Sequence, residues 1–280
     1  MNKIPIRHIN PTQKEPKLSE NFSIRDVRDM LAGEDMVQEL HRHDFFFILA
    51  LKNGTGEHDI DFVPYTVANH TVFFMRPGQV HRLVLKAGSE GYLLQFSTNF
   101  YALRHSLLRE AGNINHYQLT ETRFQKLLSA LSGVFEEYTA KQQGYQEVIK
   151  ANLDIFFIVL AREYHAAADH ANLYLQKQLD VFLELLRTHA LEQKEVTQYA
   201  AMMNLSVYQL NAITKTAVGK TCSGLINEYI ILEAKRYLLA TSNQVNQIAR
   251  HLGYEDVSYF IRFFKKHTGH SPEAFRHNLG

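Results

Sequence analysis

Ile248–Ser271 reads IARHLGYEDVSYFIRFFKKHTGHS, and the earlier stretch Tyr199–Thr221 reads YAAMMNLSVYQLNAITKTAVGKT. With Ala200 laid on Ala249, Asn204 falls on Gly253 and the closing Gly219 on Gly269, the second loop being one residue longer. Each copy opens as a short helix with a small inward alanine. Asn204 or Gly253 follows, and both suit a left-handed backbone, glycine without penalty and asparagine better than most. A capping residue, Ser206 or Glu255/Asp256, then starts a second helix. Its inward stripe is Leu210/Ile213/Ala217 in one copy and Phe260/Ile261/Phe264 in the other. The pattern predicts two helix-turn-helix units. The alanine lets the two helices cross closely, the turn fixes their angle, and the second helix offers a polar face to a major groove about 12 Å wide. Between the copies, Leu225–Leu239 predicts a helix of 15 residues with Leu225, Ile226, Ile230, Ala234, Leu238 and Leu239 inward. Such a strut is about 22 Å long and spaces two recognition helices about one duplex turn, roughly 34 Å, apart.

The rest of the chain bounds this reading. At 280 residues, 45% hydrophobic and 21% charged, it is neither a disordered polymer nor a disulfide-stapled miniprotein. The lone Cys222 excludes an internal disulfide and a multi-cysteine zinc site. No apolar run approaches the roughly 18 residues of a membrane span, and MNKIPIRHINPTQKEPKL lacks a signal-peptide core. An intracellular, cytoplasmic protein without a membrane partner is expected. Net charge is +1, but residues 181–280 hold 11 Lys and Arg against 8 Asp and Glu, which permits a nucleic-acid surface there.

Ahead of the helices the period is two. FFFILAL at Phe45–Leu51, the alternating EHDIDFV, TVFFM at Thr71–Met75 and GYLLQF at Gly91–Phe96 are short runs bounded by Gly and Pro. They predict a small barrel or double-sheet sandwich. The period lengthens near residue 115, where Phe124, Leu127, Leu128, Leu131, Val134 and Phe135 space as a helix. A second helix runs from about Val148 to Tyr164, and its stripe Ile149, Leu153, Phe156, Phe157 and Leu160 predicts burial against the barrel or a second subunit. No proline lies between Pro77 and Pro272, as a helical second half requires.

The second copy, with Ile248-Ala249, Leu252-Gly253-Tyr254, Asp256, Ser258-Tyr259-Phe260, Arg262, Phe264-Lys265-Lys266, Gly269, Ser271-Pro272 and Arg276, resembles the AraC/XylS family of transcription regulators over about 100 residues. The resemblance implies base-facing roles for Tyr208, Gln209, Asn211 and Ala212 in the first unit, and for Ser258, Tyr259 and Arg262 in the second. Arg262 suits a bidentate pair with guanine, Asn211 or Gln209 a pair with adenine, and Ala212 a thymine methyl. Lys215, Lys265, Lys266 and His267 suit phosphates.

His41-Arg42-His43 and Pro77-Gly78-Gln79-Val80-His81 resemble the two boxes of cupin barrels, which often hold a metal through His, His, Glu and His. Here the glutamate position falls on Phe47, so no metal is expected; His41, His43 and His81 are the cluster that would carry one. The resemblance implies a barrel that senses a small-molecule effector, lined by Arg42, His43, Arg76, His81 and Gln95. The expected class is therefore α+β multidomain: an N-terminal cupin-like β-barrel with following helices, then an all-α domain with two helix-turn-helix units. The boundaries expected are 1–115 for the sensor barrel, 116–165 for its helical part, 166–177 for a linker and 178–280 for the DNA-binding domain. The function expected is an effector-responsive regulator, more an activator than a repressor. It has no catalytic residue and no cofactor, and its partners are double-stranded DNA, a second copy of itself joined through Ile149, Leu153, Phe156, Phe157 and Leu160, and the transcription machinery. A metal-dependent cupin enzyme and a protein-binding helical module without DNA are the alternatives.

Overall fold

The computed structural model describes residues 6–7, 21–97, 99–101, 105–166 and 173–279, which divide into two compact units, Pro5–Ala167 and Ala168–Gly280.

The first unit is built on two five-stranded sheets. One has the order β1 (Ile6–Arg7), β3 (Met36–His43), β8 (Val80–Leu85), β5 (Gly56–Ile60), β6 (Val63–Val67). The other has the order β10 (His116–Gln118), β7 (Thr71–Met75), β4 (Phe46–Asn53), β9 (Glu90–Phe96), β2 (Phe22–Asp26). Strand β4 shows why its sequence is apolar throughout. Phe47, Leu49 and Leu51 join Ile60, Val67, Leu83 and Leu85 of the first sheet in a core between the sheets. Ile48 and Ala50, on the opposite face, join a second core with α2 (His105–Ala111), α3 (Glu121–Ala140) and α4 (Tyr145–Ala166). A strand covered on both faces cannot alternate with polar residues. A short helix, α1 (Val27–Leu31), is capped by Asp26, whose carboxylate accepts from the Arg28 and Asp29 amides. Among the described residues the strands form two five-stranded sheets with a core between them, the double-sheet form being one of the two architectures the periodicity allows.

Three sequence expectations change. The break expected at residue 115 comes one strand early, because β10 pairs antiparallel with β7, His116 opposite Phe73. The stripe Ile149, Leu153, Phe156, Phe157 and Leu160 is fully buried in the chain's own core against α3 and the second sheet. Side chains already covered within one chain cannot form a contact with a second copy, so this dimer surface is withdrawn. Within the expected linker, α4 extends to Ala166 and α5 (Leu173–His189) has already begun at Leu173; residues 167–172 lie outside the described residues.

The second unit is all helical: α5, α6 (Val196–Met202), α7 (Val207–Val218), α8 (Cys222–Ala240), α9 (Val245–His251), α10 (Val257–Thr268) and α11 (Pro272–Leu279). The strut α8 is longer than expected, 19 residues, because Thr221 caps it by accepting from the Gly224 amide at 3.1 Å. That makes it about 28 Å long. No described helix is long and apolar enough to cross a membrane.

Candidate nucleic-acid interface and histidine cluster

Both helix-turn-helix turns form as the residue types dictate. Asn204 (φ 53°) and Gly253 (φ 73°) sit in the left-handed region. Asn204 lies between α6 and α7, and Gly253 between α9 and α10. At Gly253 the constraint is also steric, since a Cβ there would stand 2.1 Å from the Leu191 carbonyl oxygen. Ser206 caps α7 in a reciprocal box with Gln209, and Asp256 caps α10 by accepting from the Ser258 and Tyr259 amides at 2.7 and 3.2 Å. Leu210, Phe260 and Phe264 are fully buried beneath them.

The faces above are unequal. In α10, Ser258, Tyr259, Arg262, Lys265, Lys266 and His267 are all exposed. The Arg262 guanidinium stands 3.8 Å from Asp256, with 68% of its side chain open to solvent. In α7, Tyr208 is 84% exposed, and Ala212 and Lys215 follow it at one-turn spacing, both exposed. Two neighbours do not join that stripe as readers. Asn211 is half-buried; its Nδ2 donates to the Val207 carbonyl and its Oδ1 accepts from the Cys222 amide, both at 3.1 Å. Its amide pins the start of α8 to α7, so both atoms needed for an adenine are committed. Gln209 Oε1 accepts from the Ser206 amide at 2.8 Å as part of the cap, which rules out bidentate use without breaking it. Sequence alone cannot separate capping from reading, because the same residue types do both.

Two ties were not foreseen. Lys194 Nζ donates to the carbonyls of Leu191 and Gly253 at 3.0 and 3.1 Å and lies 4.9 Å from the Tyr254 ring centre, so it binds the second turn to the loop after α5. Arg276 of α11 donates to the carbonyls of Leu238 and Asn243 at 2.9 and 2.7 Å, closing the end of α8. Arg276 was legible only as part of a signature.

In the first unit, the inner face of the first sheet gathers His41, His43, His58 and His81, all buried. His41 and His81 are cross-strand partners, and His43 lies two residues on, on the same face. The His81 Nε2 atom is 2.7 Å from His43 Nε2 and 3.0 Å from His41 Nε2, while His81 Nδ1 is 2.8 Å from His58 Nε2. His41 Nδ1 lies 2.6 Å from the Glu39 carbonyl oxygen. The shell is aromatic: Phe47 stacks on His43 at 5.4 Å, and Phe73 meets His58 edge-on at 4.6 Å. Burial pushes His43 and His58 down to about 3 and His81 well below its ordinary range, with the neighbouring imidazoles adding to the shift. Burial lowers His41 too. All four rings are therefore neutral at pH 7. His58 was missed; the alternation in EHDIDFV marks it as sharing a face with Ile60, but not which strand lies alongside.

The remaining effector candidates scatter. Gln95, opposite Phe47, faces the core between the sheets. Arg42 alternates with His41 and His43, so it points to the other face of its sheet and cannot share their interior. Arg76 is drawn to the Gly112 carbonyl at the end of α2, which removes it from the interior as well. A groove of about 500 Å³, lined by Arg28, Lys52, Glu90, Tyr92, Ser129 and Glu136 among others, contains none of the five expected residues.

Comparison with known proteins matches both units. An AraC-like ligand binding domain family matches residues 29–154, and a helix-turn-helix domain family matches residues 199–278. The chain is 24% identical over 254 residues to the HTH-type transcriptional activator RhaS of Pectobacterium atrosepticum, covering 85% of this chain and 87% of that one. It is 25% identical over 246 residues to RhaS of Escherichia fergusonii, covering 84% and 86%. Among solved structures, unsaturated fatty acid bound ToxT from Vibrio cholerae aligns over 91% of this chain and 95% of that one, at 16% identity and a TM-score of 0.43. An AraC-like ligand binding domain match in front and a helix-turn-helix domain match behind give this chain the two-part organisation of AraC/XylS-family regulators, to which it is similar along most of its length.

Proposed function

We infer that this chain is a sequence-specific, DNA-binding transcription activator whose hold on DNA responds to an effector. One observation carries the reading. Two helix-turn-helix units follow each other in one compact unit, and each second helix leaves a groove-sized face exposed: Tyr208, Ala212 and Lys215 in α7, and Ser258, Tyr259 and Arg262 in α10. Arg262 is the principal reader, paired with guanine O6 and N7. Tyr208, Ala212, Ser258 and Tyr259 fill the grooves, while Lys215, Lys265, Lys266 and His267 hold phosphates and set affinity without sequence information. The RhaS relatives are named transcriptional activators, which supports the sign of the effect.

The front unit is the sensor, a cupin-like barrel over residues 1–115 completed by the helices of 116–165, with residues 178–280 as the DNA-binding domain. Its effector lies between the sheets, near His43, His81 and Gln95. The active form is a homodimer that sets four helix-turn-helix units on the duplex and engages the transcription machinery in the cytoplasm. No catalytic step is involved. A full switch from 1:99 to 99:1 requires the effector to favour one state about 10⁴-fold, about 5.5 kcal/mol.

Selection of duplexes from a random pool by the purified full chain tests the reading. Enrichment of one sequence is expected. Recovery of no preferred sequence at any salt concentration rejects it in favour of a protein-binding helical module.

A further inference from the structure

The loop between α5 and α6 is anchored to the first helix-turn-helix. The Tyr199 hydroxyl of α6 donates to the Gln193 carbonyl at 2.7 Å, and the Tyr199 ring is fully buried against Phe182 of α5, edge-on at 5.5 Å. The Gln193 amide in turn donates to the His189 carbonyl at 2.8 Å, so the loop cannot shift without moving α5 or α6. Lys194 leaves this loop and crosses to the second helix-turn-helix. Of its two carbonyl partners, Leu191 is local, but Gly253 lies 59 residues away in the turn between α9 and α10. Its ammonium also sits over the Tyr254 ring, and burial lowers its pKa, as for a cation partly removed from water. Tyr254 carries the contact into α10. Its ring stacks on Tyr259 at 5.9 Å and 29°, and stands 5.4 and 5.6 Å from Phe260 and Phe263.

The strut α8 is the covalent link between the two helix-turn-helix units, with short loops at 219–221 and 241–244 on either side. Its buried side chains, among them Ile226, Ile230, Ala234 and Leu238, are apolar. Apolar contact is non-directional, so it keeps the units together without fixing the angle between them. A second link placed away from the strut closes a ring and removes the swivel, and hydrogen bonds give that link a direction. We propose that Lys194 and Tyr254 are positioning residues for DNA recognition, locking α10 in register with α7 so that the protein measures the spacing between its two half-sites. The inference rests on the regulator reading above and goes beyond it, since neither residue has to touch DNA. One base pair inserted between half-sites moves one of them about 3.4 Å along and about 35° around the duplex. A locked pair of helices cannot follow that step, whereas a loose pair swivels to meet it.

The test compares the full chain on its selected duplex and on duplexes with one base pair more or fewer between the half-sites. The parent should lose at least about 10-fold in affinity on the altered spacings, no less than a mismatched pair costs. Lys194→Met keeps the aliphatic stem without the ammonium and should lose most of that penalty. Tyr254→Leu should do the same, while Tyr254→Phe, which keeps the ring, should behave as the parent. Lys220→Met removes an ammonium paired with Glu228 elsewhere in the unit and should leave the discrimination intact. A second arm needs no DNA. Paramagnetic labels on Thr216→Cys in α7 and Lys266→Cys in α10, Cys222 being buried, should give a narrow distance distribution in the parent and a broad one with Lys194→Met. Discrimination retained by Lys194→Met, equal loss on every spacing included, overturns the proposal, and so does an unchanged distance distribution. Global unfolding of Lys194→Met overturns it too, because the lysine would then hold the fold and not the register. Should no duplex be selected at all, the regulator reading fails, and the distance arm alone decides whether the tie locks the two helices.

Discussion

Arg262 and Gly253 show how differently two residues of one signature act. Arg262 is exposed, and its 3.8 Å ion pair to Asp256 is loose and solvent-screened, so its removal leaves the fold intact. Arg262→Ala is expected to reduce discrimination between the selected duplex and a scrambled one by about 1–3 kcal/mol, read by parallel binding titrations; equal loss on both duplexes reassigns it to phosphate. Gly253 never meets DNA in this account. Its left-handed backbone and the Leu191 carbonyl 2.1 Å from any added Cβ make Gly253→Ala a fold variant. Urea unfolding of the second unit should show a loss of at least about 1–2 kcal/mol, and an unchanged midpoint contradicts the packing described. Asn204 holds the matching position at φ 53° with a side chain present, which open surroundings allow and the Gly253 site does not.

At the scale of elements, the helices were more legible than the sheets. The α7 and α10 boundaries follow from signals within a few residues of each end: Ser206 or Asp256 at the start, Gly219 or Gly269 in left-handed geometry at the finish. What lies beside a strand is not encoded locally, so β10 and the neighbourhood of His58 were hidden. Helix α4 shows the same limit: its wide apolar stripe announced burial but not by what. Leu153→Ala should therefore act as a core truncation, costing about 2–5 kcal/mol in urea unfolding of the first unit; a stable variant that only changes oligomeric state contradicts this. The C-terminal turn of α10 carries charge rather than information. Neutralising both Lys265 and Lys266 to Gln should weaken binding similarly on every sequence and flatten the log–log salt slope by about 2; an unchanged slope removes them from the phosphate contacts.

For the whole molecule, the proposed function assigns recognition to the helical unit and sensing to the sheet unit. The helical unit holds two exposed second helices, α7 and α10, on either side of one strut, and the sheet unit holds a polar cluster enclosed by aromatic rings. The readers carry the functional account, and their defining property is that both engage one duplex. Hydroxyl-radical footprinting of the full chain on its selected duplex tests this most directly. Each helix-turn-helix unit should protect its own window, the two windows about 10 base pairs apart on one face of the DNA, with Arg262→Ala weakening one of them. A single window, or uniform protection indifferent to sequence, contradicts the account.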